Sequence, residues 1–337
     1  MNKKTILITG AAGFIGSYIS NYLTKYYDLI LVDSLEYGGS RENLHENLRG
    51  QLIVENCNNK KKMQDLISEF HYCIHLAGIS SLPENEINYS RALENNFMST
   101  VNIYELCIQR GCELFLFAST SALYENNKIF PFKEVDEVSP DLMYSYSKNI
   151  SENYLNFRSK KIDSIKTYSL RFFNVFGPNQ NKHRKNPPLT AYLINCIESD
   201  CKAILYNNFP ELKRDYIFVE DILNFIYKIL NTDIKTLNSI ETINITSGNS
   251  YSVLDIVNLV QEVYNKELDY EFSVPKNLWE KYKGITKKIP KERITKEVRK
   301  ESYGSNHKIL SVLGDDYTFT DMKDGLRRIK SIQLGNN

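Results

Sequence analysis

The chain has 337 residues, 42% of them hydrophobic and 25% charged, with a formal net charge of +1. That balance is ordinary for a folded globular protein, and a near-neutral chain carries no global field that would draw it to nucleic acid. No apolar run approaches the roughly 18 residues that a membrane helix needs, so no membrane partner is expected.

The length allows one large domain or two lobes sharing a core. The cysteines (Cys57, Cys73, Cys107, Cys112, Cys196, Cys201) are scattered, and two pairs are spaced C-x4-C without a suitable histidine nearby. Free thiols fit better than a metal site or a disulfide framework. Met1-Asn2-Lys3-Lys4 leads straight into the first strand with no export signal, so the expected location is cytoplasmic.

Ile6-Leu7-Ile8 reads as a buried parallel strand. It runs into Thr9-Gly10-Ala11-Ala12-Gly13-Phe14-Ile15-Gly16-Ser17 and then a helical pattern at Tyr18, Ile19, Tyr22 and Leu23. Strand, glycine turn, helix is the setting of a nucleotide site. Glycines let the backbone turn tightly against a pyrophosphate, and the first helical residues, Phe14 and Ile15, offer N–H groups at the positive end of the helix dipole. The spacing over Gly10, Gly13 and Gly16 is G-x-x-G-x-x-G rather than the commoner G-x-G-x-x-G, and alone it also fits an ordinary strand-to-helix turn. A second strand, Leu29-Ile30-Leu31-Val32, ends on Asp33. That acid stands about 20 residues past the middle glycine, where a dinucleotide site places a carboxylate on the adenosine ribose. A carboxylate there repels a 2′-phosphate, so NAD is expected rather than NADP.

Gln51-Leu52-Ile53-Val54 is a third strand, and Lys60-Lys61-Lys62 opens the next helix with a solvated face. Cys73-Ile74-His75-Leu76-Ala77-Gly78 is a fourth strand, and its exit, Leu76, Ala77 and Gly78, lets a cofactor come close to the backbone. His75 is a catalytic candidate, although a lone histidine at a strand end is more often a hydrogen-bonded structural residue. A helical pattern over 92–109 carries Asn96, Thr100 and Asn102. A fifth strand, Glu113-Leu114-Phe115-Leu116-Phe117, exits into Ala118-Ser119-Thr120-Ser121, hydroxyls placed where doubly wound folds hold their chemistry. In a helix over about 143–158, Tyr144 and Lys148 stand four apart and share a face. An ammonium beside a phenol favours the phenolate and readies the tyrosine as an acid/base near neutral pH.

These signals together resemble the extended short-chain dehydrogenase/reductase family, specifically its nucleotide-sugar epimerases and dehydratases. The resemblance covers nearly the whole chain. It rests on Gly10, Gly13 and Gly16, on Asp33, on His75-Leu76-Ala77-Gly78, and on Thr120 and Tyr144 with Lys148. It continues through Leu170-Arg171-Phe172-Phe173-Asn174-Val175-Phe176-Gly177-Pro178 and Arg214-Asp215-Tyr216-Ile217-Phe218-Val219-Glu220-Asp221. The resemblance implies Tyr144 as acid/base, Lys148 on the nicotinamide ribose, Thr120 orienting the sugar hydroxyl and Asn96 in the cofactor pocket. It places Asn174 on the nucleotide diphosphate and Arg214 on the pyrophosphate, with Arg293 (Arg299 behind it) as second pyrophosphate arginine. Ser80-Ser81-Leu82-Pro83 resembles a loop of epimerases acting on N-acetylated hexosamines or their uronic acids, which puts Ser81 on the substrate.

Two departures stand out. An aspartate that usually approaches the adenine is replaced near Cys57 and Asn58, a change expected to loosen cofactor binding. Glu125 also follows Tyr124 where similar enzymes usually have glycine.

The implied architecture is α/β, a Rossmann-type doubly wound parallel sheet with a smaller C-terminal α/β substrate lobe. The NAD-binding domain would span 1–177 with about 214–248, and the nucleotide-sugar lobe 178–213 and 249–337. Similar enzymes form homodimers through a four-helix bundle, here the helices near 93–110 and 143–159. Dehydratases of this kind carry Asp-Glu after the threonine and UDP-glucuronate decarboxylases carry Ser-Glu, whereas this chain has Ser121-Ala122. The expected reaction is therefore 4-epimerisation of a UDP-hexose, UDP-N-acetylhexosamine or uronic acid, feeding polysaccharide or glycan synthesis. The alternatives are a reductase or 4,6-dehydratase, with Glu125 the nearest carboxylate, or a catalytically silent NAD-binding protein.

Overall fold

The computed structural model describes residues 3–162, 164–205, 212–273 and 301–335. Short apolar runs alternate with amphipathic ones through the first half of the chain. Strand and helix follow each other accordingly: β1 (Thr5–Thr9), α1 (Phe14–Leu23), β2 (Asp28–Asp33), α2 (Glu46–Arg49), β3 (Leu52–Val54), α3 (Lys60–Leu66) and β4 (Tyr72–His75). Next come α4 (Leu82–Ile87), α5 (Tyr89–Leu93), α6 (Ser99–Gln109), β5 (Leu114–Thr120), α7 (Met143–Ser159) and β6 (Lys166–Phe172). The second half holds β7 (Asn174–Phe176), α8 (Leu189–Glu198), β8 (Ala203–Leu205), β9 (Lys213–Phe218), α9 (Val219–Leu230), β10 (Ile240–Ile245), β11 (Ser250–Ser252) and α10 (Val253–Tyr264). It closes with β12 (Tyr270–Phe272), α11 (His307–Leu313) and α12 (Met322–Gln333).

Seven strands form one sheet in the order β10-β6-β5-β4-β1-β2-β3. The pairs from β3 to β6 are parallel. Helices flank the sheet, so its central strands are buried on both faces: Ile6, Leu7, Ile8, Phe115 and Phe117 are each 0% exposed. The expected doubly wound sheet is therefore present. In this strand order the chain reverses direction of travel between β1 and β4, and the crevice beyond their carboxyl ends is where such sheets bind ligands. The glycine turn leaves β1 there, and Leu76, Ala77 and Gly78 leave β4 there.

Two compact units divide the chain. One comprises Met1–Asn126, Glu137–Phe172 and Leu223–Asn244, and the other Asn127–Asp136, Phe173–Ile222 and Ile245–Asn337. The second unit has its own sheet, β11-β9-β7, with β7 parallel and β11 antiparallel to β9, and a parallel pair of β8 and β12. Its core gathers Phe176, Leu193, Ile197, Phe218, Val257 and Leu326. Among the described residues no helix is long and apolar enough to cross a membrane, and no group of three His, Cys, Asp or Glu side chains is placed to hold a metal.

One expected helix is less regular than its pattern. The run over 92–109 is the end of a longer stack, α5 followed by a π-helical turn at Glu94–Met98 and then α6. A π turn inserts an extra residue into the helix and re-aims a side chain, and such turns gather at functional sites. Asn96 is the buried residue of this turn.

Candidate active site

The glycine turn is shaped by close approach. Gly10 has φ +70, and a Cβ there would stand 2.8 Å from the Ala77 amide nitrogen and 3.0 Å from the Leu76 carbonyl oxygen. A Cβ on Gly16 would fall 2.0 Å from the Gly10 carbonyl oxygen. No side chain larger than hydrogen fits either place, so the turn, the start of α1 and the β4 exit stay pressed together. Gly13 is the N-cap of α1, with no side-chain cap and no acid in the first turn. The leading N–H groups, including those of Phe14 and Ile15, are thus left to a phosphate. At the end of β2, Asp33 accepts from the Ala12 amide (3.0 Å) and the Leu35 amide (2.8 Å), which fixes its carboxylate beside the turn. On the loop past β3, the Asn58 amide oxygen is buried without a partner. It is an acceptor, as the expected aspartate would be, without that residue's charge. The turn, the uncapped helix start, Asp33 and this orphaned acceptor together fit an adenine dinucleotide.

Around the β4 and β5 exits the side chains interlock. Lys148, only 4% exposed, reaches from α7 to donate to the Ala118 carbonyl of β5 at 2.8 Å and passes 4.8 Å over the Phe117 ring. Its Nζ would be 3.5 Å from a Cβ on Gly78, which places the ammonium at the mouth of both strands. Burial pushes the ammonium down to about 8, and the Glu152 carboxylate opposes that shift. Tyr144 stands one turn earlier on the same helix. Thr120 ends β5, 7% exposed, its hydroxyl accepting from the Ala122 amide at 3.1 Å. Ser119, its neighbour, instead donates to Glu152, consistent with the alternation of side chains along a strand. Ser81 is 5% exposed and its hydroxyl has no partner, a buried polar group of the kind a ligand would satisfy.

Asn96 is 0% exposed and engaged at both ends. Its Oδ1 accepts from the Ile79 amide (2.7 Å), and its Nδ2 donates to Asn85 Oδ1 (2.9 Å) and Ser147 Oγ (3.0 Å). It shapes the Gly78–Ile79 loop and ties it to α7. His75 is also wholly buried, its nitrogens 2.7 Å from Thr9 Oγ1 and 3.2 Å from Thr100 Oγ1. Burial, with Lys148 nearby, lowers it to about 3, so it stays neutral and serves as a strand-end brace rather than an acid/base.

Sequence spacing did not single out Glu152 and Arg171. Arg171 Nη2 lies 2.8 Å from Glu152 Oε2, with side-chain exposures of 7% and 10%. Arg171 also donates to the Tyr124 hydroxyl at 2.7 Å, and that hydroxyl donates to Asn244 Oδ1 at 2.9 Å. Burial works against the guanidinium charge, but the bonds to Glu152 outweigh it and hold Arg171 firmly protonated. The available signal was the position of Glu152, one helical turn beyond Lys148 on the Tyr144 face.

In the second unit, Asn174 opens β7 and Arg214 lies in β9, two strands that pair in parallel with Asn174 opposite Tyr216. Asn174 Nδ2 donates to the Asp215 carbonyl at 2.7 Å. Arg214 also bridges to Ser302, so both substrate-residue candidates of this unit sit on one small sheet. Arg293 and Arg299 lie outside the described residues.

The family model for the NAD dependent epimerase/dehydratase family matches residues 6–245. Among curated proteins, ADP-L-glycero-D-manno-heptose-6-epimerase of Brachyspira hyodysenteriae is 26% identical over 294 residues, 83% of this chain and 88% of its own. The dTDP-4-dehydro-6-deoxyglucose reductase of Escherichia coli is 27% identical over 278 residues, 81% of this chain and 86% of its own. Among solved structures, UDP-glucose 4-epimerase of Thermotoga maritima with UDP-glucose superposes with a TM-score of 0.81 at 26% identity, covering 99% of this chain and 100% of that one. The model match spans the glycine turn, Asp33, both strand exits, the Tyr144–Lys148 helix and Arg214, and the chain is a member of the NAD-dependent epimerase/dehydratase family.

Proposed function

We propose that this protein epimerises a nucleotide sugar at C4, with a UDP-hexose, UDP-N-acetylhexosamine or UDP-uronic acid as substrate. The observation that carries the reading is the fate of the carboxylates near Thr120. The residues after it are Ser121 and Ala122, and a side chain ending in a methyl group transfers no proton. The next acid along the chain, Glu125, is taken up elsewhere: its Oε2 accepts from the Asp141 amide (2.7 Å), the Leu142 amide (3.2 Å) and Ser145 Oγ (2.9 Å), and Glu152, which meets Ser119, is held by Arg171. Elimination of water requires an added acid and base, and this supports a reaction that needs only Thr120, Tyr144 and Lys148.

NAD, when bound, supplies a reversible hydride acceptor. Tyr144 takes the proton of the sugar 4-hydroxyl as that carbon gives up its hydride, while Thr120 orients the hydroxyl. The Lys148 charge stabilises the Tyr144 phenolate that accepts this proton. Rotation of the 4-keto sugar and return of hydride and proton to its opposite face invert C4 with no net redox change. Asn174 and Arg214 are the residues we assign to the nucleotide diphosphate, work suited to a planar charged fork.

Proton NMR of purified protein with UDP-N-acetylglucosamine, without added reductant, tests the reading. The expected result is a second anomeric signal, that of the galacto epimer, rising to a constant ratio. Silence there and with UDP-glucose and the uronic acids overturns it, and a new 6-methyl doublet would instead identify a dehydratase.

The Lys148 ammonium, lowered to about 8 by burial, carries a further expectation. A lysine loses its charge as pH rises through its pKa, so support for the phenolate weakens above that value. Turnover should decline through an alkaline limb near pH 8, and a profile level well past that pH would contradict the role given to Lys148.

A further inference from the structure

We propose that Glu86 and Glu125 are positioning residues for Tyr144, gripping from outside the helix turn that carries it; the inference rests on the acid/base role given to Tyr144. An α-helix leaves its first N–H groups without internal partners, and a Ser, Thr, Asp or Asn at the N-cap commonly takes one of them. The N-cap of α7 is Leu142, whose side chain has no acceptor. The Ser145 hydroxyl accepts from the Leu142 amide at 3.3 Å, and the rest of the work is done by two carboxylates far away in sequence. Glu86, on α4, accepts from the Met143 amide at 2.6 Å through Oε1, and its Oε2 accepts from the Tyr89 hydroxyl at 3.2 Å. Glu125 accepts from the Asp141 and Leu142 amides and from the Ser145 hydroxyl.

Three features separate this from an ordinary cap. Both acids are almost wholly buried, Glu86 at 4% and Glu125 at 7% exposed, so each holds its bonds away from competing water. Both place a carboxyl group at a helix N-terminus, where acidic side chains are favoured by the dipole. Most directly, they bracket the acid/base: Glu86 holds the backbone of Met143 and Glu125 holds the side chain of Ser145, the two neighbours of Tyr144. A phenol that must meet a sugar hydroxyl within hydrogen-bond reach depends on the placement of its own Cα. A misplacement of about 1 Å is enough to cost ~100-fold in rate. Glu125, out of place against the usual glycine, thus becomes a brace on the catalytic helix.

The test uses the NAD-loaded full chain and the variants Glu125→Ala, Glu125→Gln and Glu86→Gln. For Glu125→Ala we expect kcat to fall about 10- to 100-fold, with KM for the nucleotide sugar and affinity for NAD unchanged. Glu125→Gln, which keeps an acceptor oxygen, should recover most of that loss, and Glu86→Gln should show a smaller kcat defect of the same kind. Hydrogen exchange should quicken at the amides of 141–145 and not in the later turns of α7. An unchanged kcat beside faster exchange would make the carboxylates simple stabilisers and overturn the proposal, as would a fall in kcat matched by an equal rise in KM. Exchange needs no turnover. Should the wild-type protein convert no nucleotide sugar, the proposed function fails, and unaltered exchange in Glu125→Ala would show independently that the carboxylate does not hold the turn.

Discussion

Replacing Tyr144 by phenylalanine should abolish turnover while leaving NAD binding intact. The substitution deletes one oxygen and keeps the ring, so the packing of α7 is preserved. What it removes is the group that exchanges a proton with the sugar hydroxyl, a contribution typically of about 100- to 10,000-fold. NAD binding should survive because the residues we assign to it are retained: the glycine turn, Asp33, and Lys148, which keeps its 2.8 Å bond to the Ala118 carbonyl. The measurement pairs the NMR assay of the 4-epimer with titration of NAD into cofactor-stripped protein. Activity within about tenfold of wild type would remove Tyr144 from the acid/base role. Loss of NAD binding together with activity would mean that the phenol is structural, and the two outcomes are read from different signals.

The features legible in the sequence are those whose cause is local. Gly10 and Gly16 could be read because a backbone that turns back on itself tolerates no side chain, and the spacing records that constraint directly. Asp33 could be read because a strand end fixes where a carboxylate emerges. Tyr144 and Lys148 could be read because helical periodicity alone puts them on one face. Where partners are remote in the chain, spacing is silent. The acids that cap α7 come from positions 86 and 125, and no pattern around Leu142 announces them. The π turn at Glu94–Met98 is equally hidden, since its residues are compatible with a continuous helix; Asn96 shows its purpose only through bonds to Ile79, Asn85 and Ser147. His75 illustrates the reverse case. Its residue type suggested proton transfer, but complete burial between Thr9 and Thr100 excludes the charged form. On the adenine side, where the usual aspartate is replaced, Asn58 offers a buried acceptor in that loop.

Arg171→Met should destabilise the protein by about 3–5 kcal/mol, the usual cost of leaving one half of a buried ion pair behind. The pair qualifies on geometry: two contacts, Nη2 to Oε2 at 2.8 Å and Nε to Oε1 at 3.1 Å, between side chains no more than 10% exposed. Methionine fills much of the volume but gives Glu152 no counter-charge, and it also strips the Tyr124 hydroxyl of its 2.7 Å donor. In urea the midpoint should fall with little change in slope; by heat the loss corresponds to about 4–7 °C in a chain of 337 residues. The double variant Arg171→Met/Glu152→Leu should recover most of the stability, since an apolar pair of similar size often replaces a buried ion pair without penalty. Glu152 opposes the burial-driven fall of the Lys148 pKa, and without that carboxylate the lysine discharges at lower pH. The alkaline limb of turnover therefore moves down in the double variant even as the fold is restored. A single variant costing under about 1 kcal/mol would mean that water reaches Glu152. A limb unmoved in the double variant would mean that Lys148 does not sense that charge.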